Sequence, residues 1–312
     1  MKRILALILV VCTVVSLLTA CGGEEQPLTT QKPDTQNNTT KPDSVDIEDI
    51  LPSIDDKPAP TEEAPKTTIA EEVLFEENGI KITVTGMRHD DIWGTEVNFL
   101  VENDTDKNIA FSGDNFIVNG ITMYGFLYID VAAGKKANDS LTLDAGDLEI
   151  AGITDIATVV AADAHIFNTD TYDTLCDVPF AIETSASATY TQTIDETGDV
   201  LYDENGVTVI AKIFTDSFLG HTVRLLVINN TGKDILASAD NVSVNGFTVN
   251  AWMHNAVYVD TVRYCELDIF ASDLEENGID VVEDVTFTLE FISAASYDTI
   301  TKTDELQVFV GE

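Results

Sequence analysis

The stretch "VLFEENGIKITV" (Val73–Val84) returns 127 residues later as "VLYDENGVTVIA" (Val200–Ala211), and this duplication decides the fold. Within the first copy Ile80, Ile82 and Val84 alternate with Lys81 and Thr83, the period of a half-buried strand. The Asn-Gly pair ahead of that run supplies the positive φ angles of a tight hairpin turn. Further segments recur in the same order. "FLVENDTDKNI" (Phe99–Ile109) returns as "LLVINNTGKDI" (Leu225–Ile235), and "DNFIVNG" (Asp114–Gly120) as "DNVSVNG" (Asp240–Gly246). "DLEIAGI" (Asp147–Ile153) returns as "DLEENGI" (Asp273–Ile279). The offset drifts only between 127 and 125, as single-residue loop changes would make it. A period this long indicates two whole units rather than a short-repeat solenoid.

Each unit reads as β. Val97, Phe99 and Val101 alternate with polar neighbours, as do Phe287, Leu289 and Phe291. Asn-Gly pairs at Asn78, Asn119, Asn205 and Asn245 separate such runs. One element differs: "SDLEENGI" (Ser272–Ile279) offers Ser272 as N-cap, Glu275 three residues on and Gly278 as a left-handed stop. It predicts a helix of one to two turns in both units. The expected fold class is all-β: two tandem β-sandwich repeats, each with one short helix, after a disordered tether. The boundaries expected are 73–184 for the first repeat, 185–199 for a linker and 200–312 for the second.

The N-terminus reads as an address. Lys2 and Arg3 precede an apolar run, Ile4–Leu18, that falls short of the about 20 residues a membrane span needs. Residues 1–20 therefore read as a signal peptide. Leu18-Thr19-Ala20-Cys21 resembles the lipobox of bacterial lipoproteins, and the resemblance implies cleavage before Cys21 and a diacylglyceryl group on its thiol. Two acyl chains hold a protein on a membrane without a spanning helix. Residues 21–72 then read as the lipidated tether. Gly22–Glu72 holds seven of the eight prolines, and none of the 24 aromatics lies before Phe75. Such a composition cannot bury enough apolar surface to order itself. Its apolar patch "VDIEDILPSI" (Val45–Ile54) reads as a sticky piece of linker. Together, lipobox, Thr/Pro-rich tether and tandem "ENGI…VNG…DLExxGI" units resemble surface lipoproteins of Gram-positive bacteria. That family carries immunoglobulin-like repeats with no assigned activity, so the resemblance implies a location on the outer face of the cell membrane and a fold, and no site.

Once residues 1–20 are removed, 14 basic side chains face 55 acidic ones, a net charge of −41. That field excludes nucleic acid as a natural partner and disfavours anionic lipid. Cys176 and Cys265 remain, at non-equivalent places in the two repeats, and read as buried small hydrophobes rather than a bridge.

No chemistry-bearing motif stands out. "NDTDKN" (Asn103–Asn108) spaces oxygens like a calcium loop. Counted from Asp104, however, positions six and twelve are Ile109 and Asn115, where an EF-hand needs Gly and Glu. A hairpin turn explains it and its partner "NNTGKD" better. His89, His165, His221 and His254 form no zinc spacing, and neither a nucleophile elbow nor a phosphate loop is present. No cofactor, metal site or catalysis is expected. The candidate ligand-binding residues are aromatic: Tyr124 and Tyr128 in "MYGFLYI" (Met123–Ile129), with Trp252, His254 and Tyr258 in "VNAWMHNAVYV" (Val249–Val259). Trp93 after "HDDI" is placed on a hairpin loop. The reading favoured is a non-catalytic surface binding or adhesion module for wall polymer, glycan or protein. Beside it stand a structural spacer or accessory subunit and, distantly, an enzyme.

Overall fold

The computed structural model describes residues 25–32, 67–90, 92–217 and 220–311. Cys21, the signal segment and the patch Val45–Ile54 lie outside these.

Strand β1 (Gln26–Thr29) comes first. The first repeat follows with β2 (Glu72–Glu77), β3 (Ile80–Asp90), β4 (Gly94–Asn103), β5 (Ile109–Val118), β6 (Ile121–Val131) and β7 (Lys135–Leu143). Helix α1 (Ala145–Ile150) leads to β8 (Thr158–Ala161), β9 (His165–Asn168), β10 (Thr174–Asp177) and β11 (Phe180–Glu183). The second repeat opens with β12 (Val200–Glu204), β13 (Val207–Ser217), β14 (Gly220–Asn229) and β15 (Ile235–Val244). Three short pieces follow, β16 (Phe247–Thr248), β17 (Ala251–Trp252) and β18 (His254–Val257), then β19 (Thr261–Phe270). Helix α2 (Ala271–Glu276), β20 (Asp284–Ser293), β21 (Thr299–Lys302) and β22 (Leu306–Val310) complete it. The chain is mostly β, with two short helices among the described residues.

Pairing repeats with the sequence. In the first repeat β2, β3, β4 and β7 form one antiparallel row, and β6 and β5 with β8 and β9 another, the two joined where β6 pairs with β7 at Phe126↔Thr142 and Leu127↔Leu141. In the second, β12, β13, β14 and β19 match the first row, and β15 and β20 with β22 the other. Alternation places the core as expected: Val97, Phe99, Val101, Phe287, Leu289 and Phe291 are fully buried. Each such side chain contributes about 1.5–3 kcal/mol by leaving water. They fall in two hydrophobic cores, the first of which also takes in Ile210, Leu226 and Val262 from the second repeat. The four Asn-Gly pairs that separate strands take positive φ at both residues, for example 52° and 86° at Asn119 and Gly120, whereas at the end of α2 only Gly278 of the Asn277-Gly278 pair does. Both helices end on a glycine at positive φ, Gly152 and Gly278. The expected Ser272 cap is not used: α2 is entered from Phe270 with no side-chain cap, and Ser272 lies inside the helix. In α1 the cap is Asp144, whose carboxylate accepts from Gly146 N and Asp147 N.

A further departure from expectation matters more. The segment expected to be disordered is not wholly so. β1 pairs with β13 (Gln26↔Phe214) and with β22 (Leu28↔Val310), and buries Leu28 in the second core. Thr67–Ala70 likewise packs on the first repeat, burying Ile69. The two cysteines are free; Cys265 is fully buried, and Cys176 is half-buried against the first core.

The calcium-like loops are explained by their first residue. Asn103 and Asn229 are fully buried. Asn229 Nδ2 donates to the carbonyls of Lys233 (2.8 Å), Val257 (2.8 Å) and Tyr258 (3.0 Å), while Oδ1 accepts from Thr231 N (3.0 Å). Asn103 does the same with Lys107, Val131, Ala132 and Thr105. The amide ties a hairpin loop to the end of a neighbouring strand. Asn229→Leu leaves several buried groups unpaired, and each costs about 1–3 kcal/mol. Urea denaturation should show a loss of about 2–4 kcal/mol, against about 1 kcal/mol or less for Thr231→Val.

Candidate functional site

Strand β6 turns one side chain in and the next out. Met123, Leu127 and Ile129 are buried, while Tyr124, Phe126 and Tyr128 project into solvent. Gly125 sits between them because a Cβ there would lie 2.7 Å from the buried Phe116 ring. Tyr128 continues into a second set of rings. Its centroid is 6.2 Å from Phe167, which stacks on Tyr172 at 6.3 Å and lies 5.9 Å from His165. The result is a row of rings along one face, with Phe126 58% and Tyr172 78% exposed. Successive outward positions on a strand lie about 7 Å apart, near the spacing of linked planar or ring-shaped units.

The second repeat carries a reduced version. Trp252 pairs with Asp268 as Phe126 pairs with Thr142, 126 residues earlier in each strand. It is 63% exposed, with His254 at 6.1 Å, and His254 Nδ1 is 2.7 Å from Ser238 Oγ. By the same offset Tyr128 corresponds to His254 and Tyr124 to Asn250, so the row shrinks to one indole and one imidazole. Of the five sequence candidates, Tyr124 and Tyr128 share one face, and Trp252 and His254 share another. Tyr258 is only 7% exposed and belongs instead to the joint between repeats. Burial, then the Asp163 carboxylate of the first repeat, raises its phenol well above the usual range. Trp93 is exposed at the β3–β4 turn, as placed from sequence. Phe167 and Tyr172 are not marked by the sequence, whereas Phe126 belongs to the stretch "MYGFLYI" and lies at the next outward position after Tyr124.

The joint itself forms a cleft. Ile121 pairs in parallel with Val262, Thr122 Oγ1 meets Thr261 Oγ1 at 2.7 Å, and Arg263 Nη1 donates to Asn115 Oδ1 at 2.7 Å. Beside these contacts is a cavity of about 290 Å³ lined by Tyr124, Asp147, Asn255, Arg263, Tyr264 and Glu266. Tyr124 belongs to both cleft and row. Burial, then the carboxylates of Asp144 and Glu266, push Asp147 up to about 6, while Arg263 and Arg224 pull it down. The linker closes the cleft's far side: Gln192 Nε2 donates to Ala151 O at 3.3 Å, and Lys212 Nζ donates to Asp195 Oδ2 at 3.0 Å. The Thr197 hydroxyl and amide, then Lys212, hold Asp195 down at about 2. Among the described residues no cluster of histidine, cysteine and carboxylate groups is arranged to hold a metal, and no helix is long and apolar enough to cross a membrane.

No family model matches the chain, and neither does any curated protein. A solved structure described as the conserved domain protein from Bacillus anthracis is similar over 78% of this chain and 91% of its own, at 12% identity and a TM-score of 0.28. So slight a likeness carries over neither fold nor function.

Asp147 gives the joint a pH dependence. Its folded pKa stands above the ordinary 3.8, so the folded state holds an extra proton between about pH 4 and 6. The associated stability is present below pH 4 and lost as pH rises through 6. With partial solvent screening it amounts to about 1–2 kcal/mol. Asp147→Asn should flatten that slope and equal or exceed the wild type in stability at pH 7, read by denaturation at pH 4.5 and 7.

Proposed function

We propose that this protein is a lipid-anchored surface module that binds without catalysis, its ligand face being the aromatic row of the first repeat. The row Tyr124–Phe126–Tyr128, continued by Phe167 and Tyr172, carries the reading. Large rings left in solvent along one strand add nothing to folding, and a contiguous exposed patch of this kind marks an interaction site. Rings along a strand suit a glycan or wall polymer, stacking on flat sugar faces while the phenol hydroxyls reach the ring oxygens. Asp147, Arg263 and Glu266 in the adjoining cleft supply hydrogen-bonding partners for the end of such a chain.

In this proposal the two repeats are tandem immunoglobulin-like β-sandwiches. Cys21 carries a diacylglyceryl group that holds them at the outer face of a Gram-positive cell membrane. The strand pairing of each repeat and the sequence of residues 1–21 support this reading. A strongly acidic surface accords with a ligand that is neutral or cationic and argues against nucleic acid. The spacer reading draws on a different observation, the joint between the repeats with its linker bonded to both.

Panning the purified protein against wall polymers, glycans and matrix proteins tests the binding reading. Phe126→Ala and Tyr128→Ala should each weaken capture about 10-fold or more, as interface aromatics do. The double variant should abolish it while melting at the wild-type temperature. Undiminished capture by the double variant would remove the row as the ligand face.

A further inference from the structure

Asp147 and Asp273 hold the same place in the two short helices, 126 residues apart. In the second repeat that carboxylate is filled: Asp273 Oδ1 accepts from Asn250 N at 3.0 Å and from Asn250 Nδ2 at 2.6 Å. In the first repeat Tyr124 stands where Asn250 does, and among the described residues nothing donates to the Asp147 carboxylate. It faces the cleft at the joint instead. A carboxyl taken out of water without a donor holds its proton more tightly, and burial is the first reason that Asp147 stands at about 6.

The opposite wall also differs between the repeats. β19 corresponds to β7, and its Arg263, Tyr264 and Glu266 stand where β7 has Ala137, Asn138 and Ser140. Arg263 is only 8% exposed. Its Nη1 donates to Asn115 Oδ1 at 2.7 Å and to Ala256 O at 2.9 Å, while Nε and Nη2 donate to no described residue. Those two nitrogens form the fork that grips a carboxylate with parallel hydrogen bonds. The neighbouring Arg224 shows the fork in use: its Nε and Nη2 donate to Glu266 Oε1 at 3.2 and 2.8 Å. Glu266 Oε2 is thereby left without a donor among the described residues.

β6 and β19 pair only at Ile121 and Val262, and the cavity of about 290 Å³ lies beside that pairing. Unspent groups of both signs line it. A lone cation would leave the Arg263 fork empty, and a lone anion would add charge beside Asp147. A group carrying an ammonium and a carboxylate together fills both and leaves the net charge unchanged. The remaining wall is largely apolar, with Met123, Ile150, Ala151 and the Tyr124 ring. The volume falls just under the about 300–1,000 Å³ of pockets for drug-sized ligands, which suits a unit as small as an amino acid.

We propose that this cleft recognises the zwitterionic head of an α-amino acid with an apolar side chain, its carboxylate on the Arg263 fork and its ammonium on Asp147 and Glu266. The inference deepens the binding reading, which gives the cleft the end of a polymer chain, by naming the chemistry of that end. It draws on none of Phe126, Tyr128, Phe167 and Tyr172, so the two stand or fall separately.

Leucine, leucinamide and N-acetylleucine are titrated into the full-length protein, with calorimetry reading affinity and the Arg263 Nε–H NMR signal reading the site. Leucinamide lacks the carboxylate and N-acetylleucine the ammonium, so leucine should bind about 10-fold or more tighter than either. Leucine should shift the Nε–H signal and leucinamide should not. Asp147→Asn should erase the preference over N-acetylleucine and keep that over leucinamide; Arg263→Gln should do the reverse. A residue that only shapes the joint would lower both preferences together. Should Arg263→Gln loosen the joint through the lost Asn115 bond, Asp147→Asn decides alone. Equal affinity for the three compounds, or leucine binding unchanged in Asp147→Asn, would overturn the inference and leave the aromatic row standing. The Phe126→Ala/Tyr128→Ala double variant should bind leucine like the wild type, so lost polymer capture there touches the row alone. Leucine that displaces a captured polymer assigns the head to the polymer's end, and leucine that binds beside it assigns the head to a free amino acid; either result upholds recognition of the head.

Discussion

Two fully buried amides hold the structure to its shape. Asn103 and Asn229 each spend both protons on the carbonyls of a loop and of the strand end beside it. A buried carbonyl without a donor costs more than an ordinary hydrogen bond gains, so the loop cannot move away without a penalty. In the second repeat this amide fixes Val257 and Tyr258, and Tyr258 is one of the residues that meet the first repeat, its N–H donating to Thr122 Oγ1. The pin that closes the loop therefore also sets the joint. A second pair does similar work one hairpin later: Asn119 donates to Asp155 O and Asn245 to Val281 O, each at 2.8 Å from a residue at positive φ. One residue type answers two demands at these positions, a left-handed backbone and an amide reaching across to the next strand.

That double role explains why so much of the fold was legible. The Asn-Gly turns announce themselves because few residues tolerate their backbone angles. The strands announce themselves because one face is buried, which forces Ile82, Phe99 and Phe287 into strict alternation with polar neighbours. The helix cap was not legible. Ser272, Glu275 and Gly278 form a plausible capping pattern, yet the preceding strand runs straight into the helix and places Phe270 at its entry. Nothing local reveals where a strand will stop when the helix follows without a loop. The aromatic row was half legible. Periodicity shows that Tyr124 and Tyr128 share a face, but the contribution of Phe167 and Tyr172 depends on β9 pairing with β5, a contact between distant segments.

β1 marks the limit of composition as a guide. Pro-rich, aromatic-free sequence argues soundly against an independent core, and residues 26–30 have none of their own. They are ordered by someone else's: a single Leu28 side chain enters the second core, and ladder hydrogen bonds and Asp199 do the rest. Disorder inferred from composition concerns a segment alone. Whether a folded neighbour has left a strand position vacant is a property of the neighbour, and here it follows from where the 185–199 linker goes.

The duplicated units are thus equal in construction and unequal in circumstance. Both place an exposed aromatic at the same point, Phe126 and Trp252, and both need an added strand beside β11 or β22. The first repeat takes that strand from the residues just before it, and its position is set by Ile121, Thr122 and Asn115 at the joint. The second takes it from residues 26–29, some 170 residues earlier in the chain. Duplication supplies two copies of a face, and the path of the chain then assigns them different neighbours.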